Sequence, residues 1–235
     1  MTPSTYRDSI AELDRGIALL GTRRDRLIRR LHEGVARSIR LEMPPMTDYT
    51  VLPDNLPVPE NDGAADHLPG SRVPALKLPT SDSGMVDLAA LGPGRSIIYL
   101  YPLTGRPGAD LPEGWDTIPG ARGCSTEACD FRDHYADLQR AGAAHVFGMS
   151  SQTPDYQAEV VERLHLPFVM LSDPDFALAD ALQLPTFAAP GHQRLYTRLT
   201  LVINDGRIEH VFYPIFPPNT HAQQVLDWLR DHPTS

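Results

Sequence analysis

An α/β fold, with a central mixed sheet flanked by helices and preceded by an N-terminal helical extension, is predicted by three features of the sequence. From about residue 76 onward, short apolar runs such as SIIYLY at 96–101 alternate with longer stretches of helical periodicity, the order that builds parallel strands with crossover helices. Asn204-Asp205-Gly206 separates two β-rich runs and is the strongest hairpin signal in the chain, so it supplies an antiparallel edge. A last helical pattern closes the chain after that hairpin. The same reading divides the chain into an amphipathic helical extension at 1–42, a proline-rich linker at 43–67 and the α/β domain at 68–235.

Within 4–40, Ile10, Leu13, Ile17, Leu20, Leu27 and Leu31 recur at three- and four-residue steps, while Arg24 interrupts the seam and Gly16, Gly21 and Gly34 weaken it. A solvated appendage, coding sequence upstream of a start at Met46, an oligomerisation helix and an RNA- or membrane-binding arm all fit this pattern. The stretch that follows carries Pro44, Pro45, Pro53, Pro57, Pro59, Pro69, Pro74 and Pro79, and is expected to run extended over the domain surface.

The strand at 96–101 is bounded by Gly94 and Pro102. A helix over 126–141 places Phe131, Tyr135 and Leu138 on one face and ends at Gly142. A strand at 145–150 follows. Thr153 then caps a helix that has Pro154 at its first position and runs to about Leu164. A short strand at 168–171 precedes a helix from Asp173-Pro174 through Leu182. The hairpin strands are 198–203 and 207–213, and Asn219 is placed to cap a closing helix with Ala222, Val225, Trp228 and Leu229 inward. That succession is the order of a thioredoxin-type sheet with additions.

Composition excludes several classes of function. Lys77 is the only lysine, so the G-K-[ST] signature of a phosphate-binding loop is absent. Residues 1–45 hold nine arginines against six acids, but the rest holds twelve basic residues against 24 acids, which disfavours nucleic acid as the main partner. The longest apolar runs are far too short to cross a bilayer, and the N-terminus lacks the apolar core of a secretory signal. No membrane association is expected, and a cytoplasmic location is.

The chemistry centres on Gly123-Cys124-Ser125-Thr126-Glu127-Ala128-Cys129-Asp130-Phe131-Arg132-Asp133. Cys124 and Cys129 are the only cysteines, and for a cytosolic chain reactivity or metal binding are the uses to weigh. Cys124 falls between a loop and a helix, where unpaired N–H groups and the helix dipole favour a thiolate. Cys129 lies five positions on, more than one helical turn away, so the two sulfurs bond only if the first turn unwinds. His134 brings a third metal-ligand type nearby, but Cys124, Cys129 and His134 have no zinc-finger spacing and no fourth ligand.

That segment resembles the Gly-Cys-Thr-x-Glu-Ala-Cys-x-Phe-Arg-Asp motif of peroxiredoxins, specifically the peroxiredoxin Q or bacterioferritin-comigratory-protein branch. Leu171-Ser172-Asp173 is similar to the branch's Leu-Ser-Asp, and Arg198 with the following Asp205-Gly206-Arg207-Ile208 hairpin matches the position of its active-site arginine. The resemblance runs from about Leu68 to Leu229. It implies a thioredoxin-like fold and a thiol-dependent peroxidase. Cys124 would then be the peroxidatic cysteine, Arg198 would stabilise the thiolate and the peroxide oxygens, and Glu127 would anchor the loop. Cys129 would be the resolving cysteine, closing a Cys124–Cys129 disulfide. The implied partners are a peroxide substrate and a thioredoxin-like or glutaredoxin-like reductant. No metal, haem or flavin cofactor is implied, because sulfur itself carries the oxidation.

One departure stands out. The family places a Thr or Ser hydroxyl three residues before the cysteine, where this chain has Ala121. Instead Tyr101-Pro102-Leu103-Thr104 ends the strand, and about fifteen extra residues intervene, marked as a loop with sharp turns by Gly105, Pro107, Gly108, Pro112, Pro119 and Gly120. The expectation is that this 105–122 insertion bulges outward and leaves Pro102 and Thr104 to frame the peroxide pocket. A homo-oligomer would form through the N-terminal helix or this insertion. Two other readings of the same residues are a thiol–disulfide oxidoreductase or redox sensor, and a non-catalytic interaction protein.

Overall fold

The run 95–100 is apolar or aromatic at its last four positions, so it can satisfy both of its faces only at the centre of a sheet. It lies there in the computed structural model, which describes Arg30 and residues 51–234. A small antiparallel hairpin, β1 (Lys77–Pro79) and β2 (Met85–Asp87), comes first. The main elements follow as β3 (Arg95–Leu100), α1 (Cys124–Arg140), β4 (Ala143–Ser150), α2 (Pro154–Leu164), β5 (Met170–Ser172) and α3 (Ala177–Leu182). A second hairpin, β6 (Thr186–Ala189) and β7 (His192–Tyr196), precedes β8 (Leu199–Asn204), β9 (Arg207–Phe212) and α4 (His221–Asp231).

The five-stranded sheet has the order β5-β4-β3-β8-β9. β4 is parallel to both β3 and β5, and β8 is antiparallel to both β3 and β9. Alternation along β3 divides the core in two. Ile98 and Leu100 face α3 together with Leu68, Val73, Leu78 and Leu88 from the N-terminal side of the domain. Ile97, Tyr99 and Tyr101 face α1, α2 and α4, where Phe131, Val160, Val225 and Leu229 pack. Tyr99 stacks on Phe131 at 4.2 Å between ring centroids.

Capping accounts for several boundaries. Thr153 Oγ1 accepts from the Tyr156 N–H and Pro154 opens α2, as its sequence predicts. Asp205 and Gly206 both adopt positive φ, 48° and 68°, as a two-residue hairpin turn requires. α1 begins at Cys124, two residues earlier than its apolar periodicity suggested, because Gly123 in the left-handed region turns the chain straight into it. α3 begins at Ala177 rather than at Asp173. The Asp173 carboxylate still accepts from the N–H groups of Ala177 and Leu178, both at 2.9 Å. Asn219 does not cap α4. It lies in a short 3-10 turn, Pro218–Thr220, and the acceptor for the Ala222 N–H is Asp130 Oδ2 on α1, at 2.7 Å.

The expected extension at 1–42 falls outside the described residues, save Arg30. Residues 51–67 lie against the body: the Tyr213 hydroxyl donates to Asp62 Oδ1 at 2.8 Å, and His67 Nε2 meets the Leu182 carbonyl at 2.9 Å. The proline-rich stretch joins the core at Ala65, before Leu68. Among the described residues no helix is long and apolar enough to cross a membrane.

Close approach at the sheet centre fixes Gly148, which pairs with Tyr99 across β3 and β4. A Cβ there would come within 2.5 Å of the Tyr99 ring and of Met170 Cε. Gly148→Ala is therefore expected to destabilise the fold by about 1–3 kcal/mol, read as a lower urea midpoint; an unchanged midpoint would mean the Tyr99–Phe131 stack yields freely.

Candidate active site

Gly123 is the position from which the site is built. Its φ is 101°, and a Cβ would collide with the rings and branches of Pro218 and Leu52. Glycine is the residue that fits there, and it sets Cys124 at the first position of α1. Cys124 is 3% exposed and its thiol is free. The thiol points at the Ala121 carbonyl, 3.5 Å away, and the main-chain N–H of Leu103 approaches the sulfur from the end of β3.

Arg198, immediately before β8, reaches under this turn with its side chain 1% exposed. One Nη2 serves Cys124 Sγ at 3.1 Å and the carbonyls of Ala121 and Arg122 at 3.3 and 3.2 Å. Nε donates to the Gly120 carbonyl at 3.2 Å, and Nη1 donates to Glu127 Oε2. A planar fork with five donors is the one side chain able to hold all these acceptors at once.

The electrostatics turn on one cation facing two acids. Burial pushes the Cys124 thiol up, against the pull of Arg198 and the Leu103 N–H, and the Glu127 carboxylate pushes it further up. Burial likewise raises Glu127 to about 7 despite its pairing with Arg198, and its Oε1 has no hydrogen-bond partner. Arg198 is itself held above its ordinary value by the two acids, against its own desolvation. The guanidinium fully compensates one negative charge, so thiolate and carboxylate compete for it.

The sulfur opens into a narrow, half-open cleft lined by Leu103, Gly105, Leu111, Trp115, Arg122, Gly123, Cys124 and Ser125, with room for about one water-sized molecule beside the sulfur. Trp115, 3% exposed, forms a separate apolar cluster with Leu103, Ala121 and Leu195, against which Leu111, Ile118 and Phe187 pack.

A free cysteine at a helix N-terminus, held by a buried arginine at the end of an inner strand of a thioredoxin-type sheet, coincides with a family match. The Redoxin family model matches residues 68–226. The chain belongs to the Redoxin family. Peroxiredoxin Bcp of Escherichia coli is 29% identical over 166 residues, covering 69% of this chain and 96% of that protein. The crystal structure of peroxidoxin BcpB from Mycobacterium tuberculosis superposes with a TM-score of 0.57 at 25% identity, covering 72% of this chain and all of that one. A structure of Xanthomonas campestris peroxiredoxin Q shares the fold at 23% identity and a TM-score of 0.53, with 76% and 97% of the two chains covered. Within the redoxins, the relatives place this chain in the peroxiredoxin Q/Bcp branch.

In this redoxin, Cys124, Glu127 and Arg198 meet in one hydrogen-bonded cluster. Pro102 is buried at the end of β3. Thr104 is buried next to it, but its hydroxyl turns to Gln152 Oε1 at 3.1 Å, and its two neighbours, Leu103 and Gly105, line the cleft instead. Cys129 is half-buried on α1 with a free thiol that burial raises, beside Arg132, Asp133 and Arg163. His134 turns to Asp130, with Nδ1 at 2.9 Å from its carbonyl and 3.1 Å from its carboxylate.

Gln152 escaped the sequence. It clamps the chain after β3, accepting from the Thr104 N–H at 2.9 Å and donating to the Thr104 carbonyl at 3.1 Å; nothing in its sequence context marks it. Trp115 and the β6–β7 hairpin were legible in part: a tryptophan in a Gly/Pro-rich loop signals packing, and Pro190-Gly191 signals a turn.

Because Glu127 competes with the sulfur for Arg198, Glu127→Gln is expected to lower the Cys124 pKa. As pH rises through about 7, Glu127 ionises and opposes thiolate formation; the amide removes that charge and leaves the guanidinium to the sulfur. Iodoacetamide alkylation of Cys124 at neutral pH should be several-fold faster in the variant, and slower alkylation would reverse the assigned sign.

Proposed function

We propose that this chain is a thiol-dependent peroxidase that reduces hydrogen peroxide or a small organic hydroperoxide, with Cys124 as the peroxidatic residue. The observation that carries the reading is the 3.1 Å contact between Arg198 Nη2 and Cys124 Sγ inside a buried site, which puts a permanent cation where anionic sulfur and a developing anionic oxygen both need one. The peroxiredoxin name of the E. coli relative, which the chain matches over nearly its whole length, agrees with it.

The Cys124 thiolate attacks the terminal peroxide oxygen, and the O–O bond breaks as the S–O bond forms. The departing alkoxide or hydroxide takes a proton and leaves as alcohol or water, and Cys124 remains as a sulfenic acid. Arg198 donates to the sulfur and to the oxygens as charge moves onto them. The Leu103 N–H and the first N–H groups of α1 add fixed dipoles of the same sign. Pro102 and Thr104 are read as framing residues: the Gln152 clamp on Thr104 holds the chain so that the Leu103 N–H faces the sulfur.

Cys129 is read as the resolving cysteine. Five residues of intact helix separate the sulfurs by about 7.5 Å along the axis and place them on different faces, out of reach of a disulfide. The first turn of α1 therefore unwinds before the Cys129 sulfur attacks the sulfenic sulfur, expelling water and closing the bond. A thioredoxin-like or glutaredoxin-like dithiol restores both thiols by two exchange steps. Such a cycle fits the reducing cytoplasm, where dithiol reductants are kept charged.

Stopped-flow consumption of peroxide by the reduced protein tests this. Wild type is expected to react orders of magnitude faster than free cysteine. Cys124→Ser should be inert, and Cys129→Ser should react once and stop at the sulfenic acid, trapped by dimedone. Reaction of the wild type at the rate of free cysteine would remove the peroxidase reading and leave a redox sensor.

A further inference from the structure

The 105–122 segment is the part of the chain that departs from the family motif, and it roofs the reactive sulfur. We propose that this roof, with Trp115 at its centre, makes the site selective for hydrogen peroxide and excludes hydroperoxides with bulky alkyl or aryl groups. The proposal rests on the peroxidase reading above and names the substrate of that same site.

The first support is space. The cleft at Cys124 is narrow and half open: beside the sulfur there is room for about one water-sized molecule, about 10 Å³, within about 210 Å³ of empty space that includes open solvent. Hydrogen peroxide is little larger than water. The carbon skeleton of cumene hydroperoxide would press against Leu111 and Trp115, both of which line the cleft.

The second support is that the roof is fastened at both ends and in the middle. At its start, the Tyr156 hydroxyl donates to the Thr104 carbonyl at 2.7 Å, Arg163 donates to the Gly105 carbonyl at 3.0 Å, and the Arg106 guanidinium lies 4.0 Å over the Tyr156 ring. At its end, Arg198 holds the carbonyls of Gly120, Ala121 and Arg122, and Arg122 pairs with Asp116 at 3.3 Å. In the middle, Trp115 lies 6.1 Å from the Phe187 ring, so the β6–β7 hairpin packs against the indole. A loop held this way resists displacement, because moving Trp115 strips its apolar contacts with Leu103 and Leu195 as well. Its energetic cost falls on a large substrate and is spared a small one.

The test is the ratio of kcat/KM for cumene hydroperoxide to that for hydrogen peroxide, from peroxide consumption, in wild type, Trp115→Ala and Leu111→Ala. Wild type is expected to prefer hydrogen peroxide. In Trp115→Ala the ratio should rise by roughly 10- to 200-fold, the range that added apolar space provides, and Leu111→Ala should move it the same way. If Trp115→Ala fails to fold, the half-buried Leu111 decides alone. Equal wild-type rates on both peroxides, or a ratio unmoved by the variants, would overturn the selectivity and leave the peroxidase reading standing. A wild type that consumes neither peroxide would remove both.

Discussion

A guanidinium enclosed among protein atoms is costly to desolvate, and its place here is secured by the acceptors gathered around it. Arg198 stands at the start of β8, inside the central sheet, and holds Glu127 from α1, the sulfur of Cys124, and three successive carbonyls from the end of the insertion. All of these partners lie within one stretch, residues 120–127, which the arginine reaches from more than seventy residues away in sequence. The loop before α1 cannot relax without exposing the arginine to unpaired burial, and the arginine cannot leave without stranding a buried carboxylate. The geometry of the sulfur follows from that mutual dependence.

The same constraint sets a tension in the reaction. In the proposed cycle, peroxide attack needs the closed arrangement, in which the Leu103 N–H and Arg198 converge on Cys124. The proposed disulfide needs the first turn of α1 to open, since Cys129 sits more than one turn away on the same helix. Oxidation of the sulfur changes the balance: a sulfenic acid is neutral, and it gives up the charge for which it competed with Glu127. Arg198 then belongs to the carboxylate, and the turn that carries Cys124 has lost one of its strongest tethers.

Much of this was legible in the sequence where the signal is local. The 3.6-residue pattern, Thr153 with Pro154, and Asn204-Asp205-Gly206 locate their elements because caps and turns are decided by the residues that form them. The Cys124 segment and Arg198 were legible because their residue types and order are tied to one chemistry. What escaped is long-range. Asn219 yielded to Asp130 as the partner of the Ala222 N–H because α1 packs beside α4, a fact no local window contains. The Thr104 hydroxyl is taken by Gln152, 48 residues away in sequence, and the residue offered to the sulfur is its neighbour's main chain. Trp115 and Phe187 meet across two segments that read separately as loops.

The central claim is that the charge of Arg198 makes a buried thiol a peroxide-reactive one. Removing that charge alone would strand Glu127, so the direct test is the double variant Arg198→Met with Glu127→Gln, which leaves no unpaired ion. Its second-order rate constant with hydrogen peroxide is to be measured alongside that of Glu127→Gln, with far-ultraviolet circular dichroism to establish the fold. A loss of roughly a hundredfold to a thousandfold relative to Glu127→Gln, with the fold retained, is the result this account predicts. A folded double variant that keeps the rate of Glu127→Gln would contradict it, and would place the activation of Cys124 with the helix N-terminus instead.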